Sequence, residues 1–202
     1  MSYQPIQAGR ALPLEPKDVA EVAKELGCSE AALRAVLAVE SRGEGFDSQG
    51  RPIILYEPHV FYRNLASPAE RQHAMMLGVA YKNWGTKPYP KGSDAQYARL
   101  ELARKINNMV AFEAISMGMG QILGENYRLA GHGSAVDMFI AAGDSEKNQL
   151  KQMAAFIRSK GLVRALRERD WAAFARGYNG AGYAKNRYDV KLANAYRRAL
   201  IG

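Results

Sequence analysis

The chain of 202 residues is 48% hydrophobic and carries one cysteine, three histidines and a formal net charge of +8. That length closes one core without staples, Cys28 alone excludes an internal disulfide or a structural zinc site, and no apolar run approaches the ~18 residues of a membrane helix. The charge calls for an anionic partner or serves solubility; the basic residues are scattered without a nucleic-acid recognition motif, and bacterial walls and outer-membrane lipids are anionic as well.

The first seven residues hold no basic stretch followed by an apolar one, so no secretion signal is expected there. Val19, Val22, Ala23 and Leu26 stripe a first helix, stopped by Gly27. Leu33, Val36, Leu37 and Glu40 stripe a second, capped by Ser29 and ended by Ser41, Arg42, Gly43, Glu44 and Gly45. Residues 43–58 change character: Asp47, Ser48, Gln49 and Gly50 form a turn before the apolar run Ile53, Ile54, Leu55, Tyr56. This reads as a small β-hairpin whose second arm ends at Glu57 and Pro58. Ser67, Pro68 and Glu70 start another helix, and residues 84–92, with two prolines and two glycines, form a loop. Ser93 with Gln96 opens a helix whose one face holds Leu102, Ile106, Met109, Val110 and Glu113. Leu150, Met153, Ala154 and Ile157 stripe a later helix, and Trp171, Phe174, Ala175 and Tyr178 the next, capped by Asp170.

The last helix sets Tyr188, Leu192 and Tyr196 on an apolar face and Lys191, Arg197 and Arg198 on a cationic one. Two readings stand for it: a helix packed on the core with its charges in water, or a cationic surface for anionic wall or outer-membrane lipid. No repeat or long linker divides the chain, so residues 1–202 are expected to form a single α+β domain, predominantly helical with a small β element. His59, His73 and His132 lack metal-site spacing, and no metal or cofactor is expected.

Glu40 stands out because it is a carboxylate on an apolar helical stripe. Burial and the negative end of the helix dipole both oppose its charge, so it should hold a proton to unusually high pH and can serve as a general acid. An ion pair with a buried arginine, or a side chain reaching solvent past the helix end, fits the same spacing. Glu57, one helix end and one β arm later, could face it across a cleft, and two carboxyl groups across a glycosidic bond are the minimum apparatus for its hydrolysis. An exposed strand-end glutamate is the plainer reading of Glu57. Glu44 and Asp47 look like solvated turn residues, and Glu113 like a helix-to-loop contact. Ser116, Gly118, Gly120 and Gln121 combine close backbone approach with hydrogen-bonding groups. Tyr178 and Asn179 set an aromatic beside an amide, suited to a sugar with an N-acetyl arm.

Together and in this order, Glu40-Ser41, Gly118-Met119-Gly120-Gln121-Ile122 and Tyr178-Asn179-Gly180 resemble the signature of the lysozyme-like superfamily. The chain from about Leu14 to Leu200 is similar to the N-acetylmuramidase family of phage and prophage endolysins. The match runs through residues 39–43, 54–61, 116–127 and 170–180, and departs at Met117, where the family usually has an aromatic. The resemblance implies a lysozyme-like fold, with a hairpin lobe beside a helical body, and cleavage of the β-1,4 bond between N-acetylmuramic acid and N-acetylglucosamine in peptidoglycan. It implies Glu40 as general acid, Glu57 as second carboxylate, and Ser116, Gln121, Tyr127, Tyr178 and Asn179 as sugar-binding residues. A monomer made in the host cytoplasm and released to the wall is then expected, with no nucleic-acid partner. A lytic transglycosylase, needing one acid, and a non-catalytic wall-binding module are the alternatives.

Overall fold

Apolar stripes and capping residues set most helix boundaries, in a computed structural model that describes residue 6, residues 9–41 and residues 43–201. Residues 1–5, 7, 8, Arg42 and Gly202 lie outside the described residues. With them lie the expectation of an N-terminus without a signal and the part of Arg42 in ending the second helix. Helix α1 (Pro16–Leu26) buries Val19, Val22, Ala23 and Leu26, and Gly27 ends it in the left-handed region at φ 82°. Helix α2 (Glu30–Glu40) starts at Ser29, whose hydroxyl accepts the Ala32 amide at 3.2 Å, and buries Leu33 and Val36 completely.

Residues 43–58 depart from the expected hairpin. The turn exists, with Phe46 bridged to Pro52, but strand β1 (Ile54–Tyr56) pairs antiparallel with β2 (Ile115–Met117), and β2 with β3 (Ile122–Leu123). An apolar run takes its backbone partner from whichever strand the core brings alongside, and here that strand is remote in sequence. Nor does the arm end at Pro58. Proline there opens helix α3 (Pro58–Asn64), with Glu57 at its N-cap position. Helix α4 (Pro68–Met76) begins as expected, the Ser67 hydroxyl accepting the Glu70 amide at 3.4 Å.

The single helix expected after Ser93 is two, α5 (Ser93–Ile106) and α6 (Asn108–Glu113). Asn107 leaves the helical region at φ −151°, and its side chain accepts the Val110 amide at 3.2 Å to cap the second. The buried faces shift with the break: Tyr97, Leu100, Ala103, Ala111 and Phe112 are inside, while Leu102 and Met109 are exposed. Ser93 is the first helical residue, not the cap, and its hydroxyl donates to Asp47 at 2.5 Å.

Helices α7 (Ala135–Asp144), α8 (Glu146–Ser159), α9 (Val163–Glu168), α10 (Trp171–Asn179) and α11 (Tyr188–Ala199) complete the helical body. One apolar cluster runs through it from Val19 to Leu192. The architecture is α+β, mainly helical, with a small three-stranded antiparallel sheet. Among the described residues no helix is long and apolar enough to cross a membrane.

Helix α11 lies along α2, burying Leu192 and Ala195 and packing Tyr188 and Tyr196 on the core. Its Lys191, Arg197 and Arg198 stay exposed. Truncating Leu192, which is fully buried at this seam, leaves a cavity between two helices. Leu192→Ala should lower unfolding stability by about 2–5 kcal/mol in urea titrations. A loss below about 0.5 kcal/mol, ordinary for a surface site, would show that α11 is not held by the core.

Candidate active site

Glu40 is the last residue of α2; Ser41 turns to extended backbone and donates its N–H to the Leu37 carbonyl at 2.9 Å. The carboxyl is therefore carried at the end of a fixed helix and left half-buried. It opens on a cavity of about 350 Å³. Gly120, Gln121, Ile122, Leu123 and Asn126 wall the cavity from the sheet side, and Phe156, Tyr178, Asn179 and Tyr188 from the helices. Burial raises the Glu40 pKa above the ordinary carboxylate value. Asn179 Nδ2, donating to Oε1 at 2.9 Å, and the charge of Lys191 act in the opposite direction without cancelling the rise.

Two polar atoms beside this carboxyl have no hydrogen-bond partner among the described residues, the Tyr178 hydroxyl and Gln121 Oε1. Tyr178 stacks on Phe174 at 5.5 Å and meets Phe156 edge-on at 5.6 Å, so its ring is fixed. Burial and then the nearby Glu40 charge hold its hydroxyl protonated. Gln121 sits at φ 45°, a left-handed setting that costs a non-glycine residue energy. Its Nε2 donates to the carbonyls of Gly118 at 2.8 Å and Ile53 at 3.1 Å, which leaves the oxygen free. A donor and an acceptor, each costing about 1–3 kcal/mol while unpaired, thus flank the acid.

The glycines before Gln121 serve packing more than ligand approach. A Cβ on Gly118 would lie 2.7 Å from Gln149 Oε1, and one on Gly120 would lie 2.4 Å from Met153 Cγ, both on α8. Gln149 Oε1 in turn accepts the Met119 amide at 2.8 Å. Met117, the departure from the family pattern, is a core residue.

Glu57 is not in the wall of this cavity. Its backbone N–H extends the sheet to Ala114 O at 2.8 Å, and its Oε2 accepts the Tyr89 hydroxyl and lies 3.5 Å from His59 Nδ1. Leu123, in the cavity wall, pairs with Ser116, and Ser116 with Leu55, two residues before Glu57. The two strands are thus two pairings apart, ~10 Å at ladder spacing.

Ser116 is 9% exposed in the central strand and Tyr127 packs on the core, its hydroxyl accepting Arg128 Nε at 3.2 Å; neither lines the cavity. Four of the seven residues read from sequence therefore come together, Glu40, Gln121, Tyr178 and Asn179. Asn126, beside Tyr127, lines the cavity where Tyr127 does not, and Tyr188 lines it from α11. Tyr188 was visible only as part of an apolar stripe, and no sequence signal marks Asn126. Of the competing acids, Glu44 is exposed and Glu113 accepts Asn64 Nδ2 at 3.2 Å, a contact between helix ends. Asp47 is not solvated as expected: its side chain accepts Ser93, the Arg51 guanidinium and the amides of Gln49 and Arg51, which fix the turn.

A helical body with a small sheet and a proton-holding glutamate at a helix end defines a lysozyme-type glycoside hydrolase. The N-acetylmuramidase (Muramidase) family model matches residues 29–200. Among solved structures, the chain is similar to the crystal structure of Burkholderia AP3 phage endolysin, with 40% identity and a TM-score of 0.82 over 92% of this chain and 70% of that one. No curated protein sequence matches. The chain belongs to the N-acetylmuramidase family and is a peptidoglycan hydrolase acting on the bacterial cell wall.

The raised pKa of Glu40 carries a stability consequence. A carboxyl that holds its proton more tightly in the fold than in the unfolded chain contributes stability in full below its unfolded pKa, and loses it as pH rises through the folded value. Glu40→Gln removes that titration. Its melting temperature relative to wild type should rise as pH increases from the ordinary carboxylate range upward. A difference independent of pH would refute the shift. Asn179→Leu, which removes the donor to the carboxylate, should move the alkaline limb of the activity profile further upward.

Proposed function

We propose that Glu40 donates its proton to the glycosidic oxygen of the β-1,4 bond between N-acetylmuramic acid and N-acetylglucosamine, while Glu57 activates the attacking water. The observation carrying this reading is the half-buried Glu40 carboxyl, held by Asn179 on an open, partly polar cavity. A proton kept to higher pH by burial is what a general acid at neutral pH needs. The buried Tyr178 hydroxyl and Gln121 oxygen belong to residues that wall the cavity beside Glu40, and add polar groups to its lining shell. Ser116 and Tyr127 support this wall through the sheet and core.

The whole chain acts as one catalytic domain and as a monomer, in the role of a phage or prophage endolysin made in the host cytoplasm and released to the wall. The exposed Arg197 and Arg198 of α11, with Lys185 and Arg187 before it, form a cationic face for anionic wall or outer-membrane groups. Lys191 belongs to a different account, since its charge acts on Glu40.

Glu40→Gln should keep the fold and lower the rate of wall digestion by roughly two to four orders of magnitude. Near-normal digestion by the folded variant would remove Glu40 from the chemistry. Mass spectrometry of the products tests the course: hydrolysis adds a water, whereas a single-acid transglycosylase gives an anhydro product lighter by one water. That outcome would remove Glu57 as base. For the basic face, Arg197→Gln with Arg198→Gln should weaken binding to whole walls and flatten its salt dependence, with soluble fragments cleaved normally. Unchanged wall binding would leave those charges a solvated surface.

A further inference from the structure

Glu57 has a partner that the reaction scheme above does not use. Tyr89 lies in the proline- and glycine-bearing loop between α4 and α5, and its hydroxyl donates to Glu57 Oε2. The Trp84 indole N–H, five residues earlier in the same loop, acts as a donor toward the Tyr89 oxygen and opposes the rise in its pKa. A phenol has one proton to give and lone pairs to accept with. Trp84 therefore occupies the accepting side of Tyr89, and the proton is left for the carboxylate. Burial and then the Glu57 hydrogen bond push the Tyr89 pKa up to about 12, so that proton stays in place through neutral pH.

The backbone around both residues is tied together independently. Gln96, 5% exposed at the start of α5, donates through Nε2 to the Pro90 carbonyl at 2.7 Å. Its Oε1 accepts the Tyr56 amide at 2.9 Å. Pro90 follows Tyr89, and Tyr56 precedes Glu57. One buried amide thus spans the residue next to the donor and the residue next to the acceptor. The loop and the strand end are registered by their backbones before the side chains meet. Tyr89 and His59 are the titratable groups facing Glu57 among the described residues.

From this geometry we propose that Tyr89 is a positioning residue for Glu57, aimed by Trp84 and held in register by Gln96, so that residues 84–92 belong to the catalytic apparatus. The inference rests on the reading of Glu57 as the water-activating carboxylate. Tyr89 does not touch the sugar in this scheme. It fixes which Glu57 oxygen is occupied and leaves the other to face water. A carboxylate free to rotate would lose that alignment, and with it rate at saturating substrate rather than substrate affinity.

The test compares wild type, Tyr89→Phe, Trp84→Phe, Glu57→Gln and the Tyr89→Phe/Glu57→Gln double variant on peptidoglycan, with melting temperatures as a check on folding. Tyr89→Phe should lower kcat about ten- to a hundredfold, the effect of one hydrogen bond to a charged group, with KM little changed. The double variant should be no slower than Glu57→Gln alone, since both changes remove the same function. Trp84 is 72% exposed and carries no core packing, so Trp84→Phe folds even if Tyr89→Phe does not. It should lower kcat a few-fold with KM little changed. Wild-type kcat in Tyr89→Phe, or in Trp84→Phe should Tyr89→Phe fail to fold, beside a crippled Glu57→Gln, would overturn the positioning role and leave Glu57 as base. A fully active Glu57→Gln would overturn the reading of Glu57, and the positioning role with it.

Discussion

Keeping a proton on a carboxyl group near neutral pH requires that water be held away from it, and the packing around Glu40 answers to that requirement. Helix α2 brings the residue to the end of a rigid rod, and α10 and α11 then cover it on the side away from the sheet. The covering is incomplete by necessity, because a fully buried acid could not reach a substrate. Asn179 and Lys191 favour the charged form while burial opposes it, and burial prevails. The carboxyl is therefore biased toward its protonated form, while Asn179 stays in place to stabilise the charged one.

The opposite wall is built by different means. Backbone rather than helix packing carries Gln121, in a turn pressed so closely against α8 that glycine is needed at 118 and 120. That pressure fixes the one face of the cavity with no long helix of its own. Strain at Gln121 and the unpaired oxygen of its side chain are both carried in this wall of the cavity.

Helices with a continuous apolar stripe and a local cap were legible in the sequence, because period and capping act within a few residues. Val19 to Leu26, Leu150 to Ile157 and the Ser67 cap follow that rule. The hairpin reading failed because an apolar run such as 53–56 has the same pattern whether its partner is adjacent or remote. The break at Asn107 carried a readable signal, an asparagine three residues before Val110, masked by apolar residues that continued the stripe. In the site, Glu40 betrayed itself by being an acid on an apolar face. Its bond to Asn179 and the hydroxyl of Tyr89 on Glu57 depend on tertiary approach alone, and no local period announces either.

The bond between Asn179 and Glu40 closes over 139 residues, and Tyr188 joins the same cavity from later still. Chains leave the ribosome from the N-terminus, so α2 emerges long before the helices that cover its end. Until α10 and α11 dock, nothing shields Glu40 from water, and its proton is lost as readily as that of any glutamate on an open chain. The burial of Glu40 is thus completed by the helices that are synthesised last. The linear order of the sequence sets the glutamate and the groups that bury it at opposite ends of an enzyme that dissolves cell walls, so that no incomplete copy contains both.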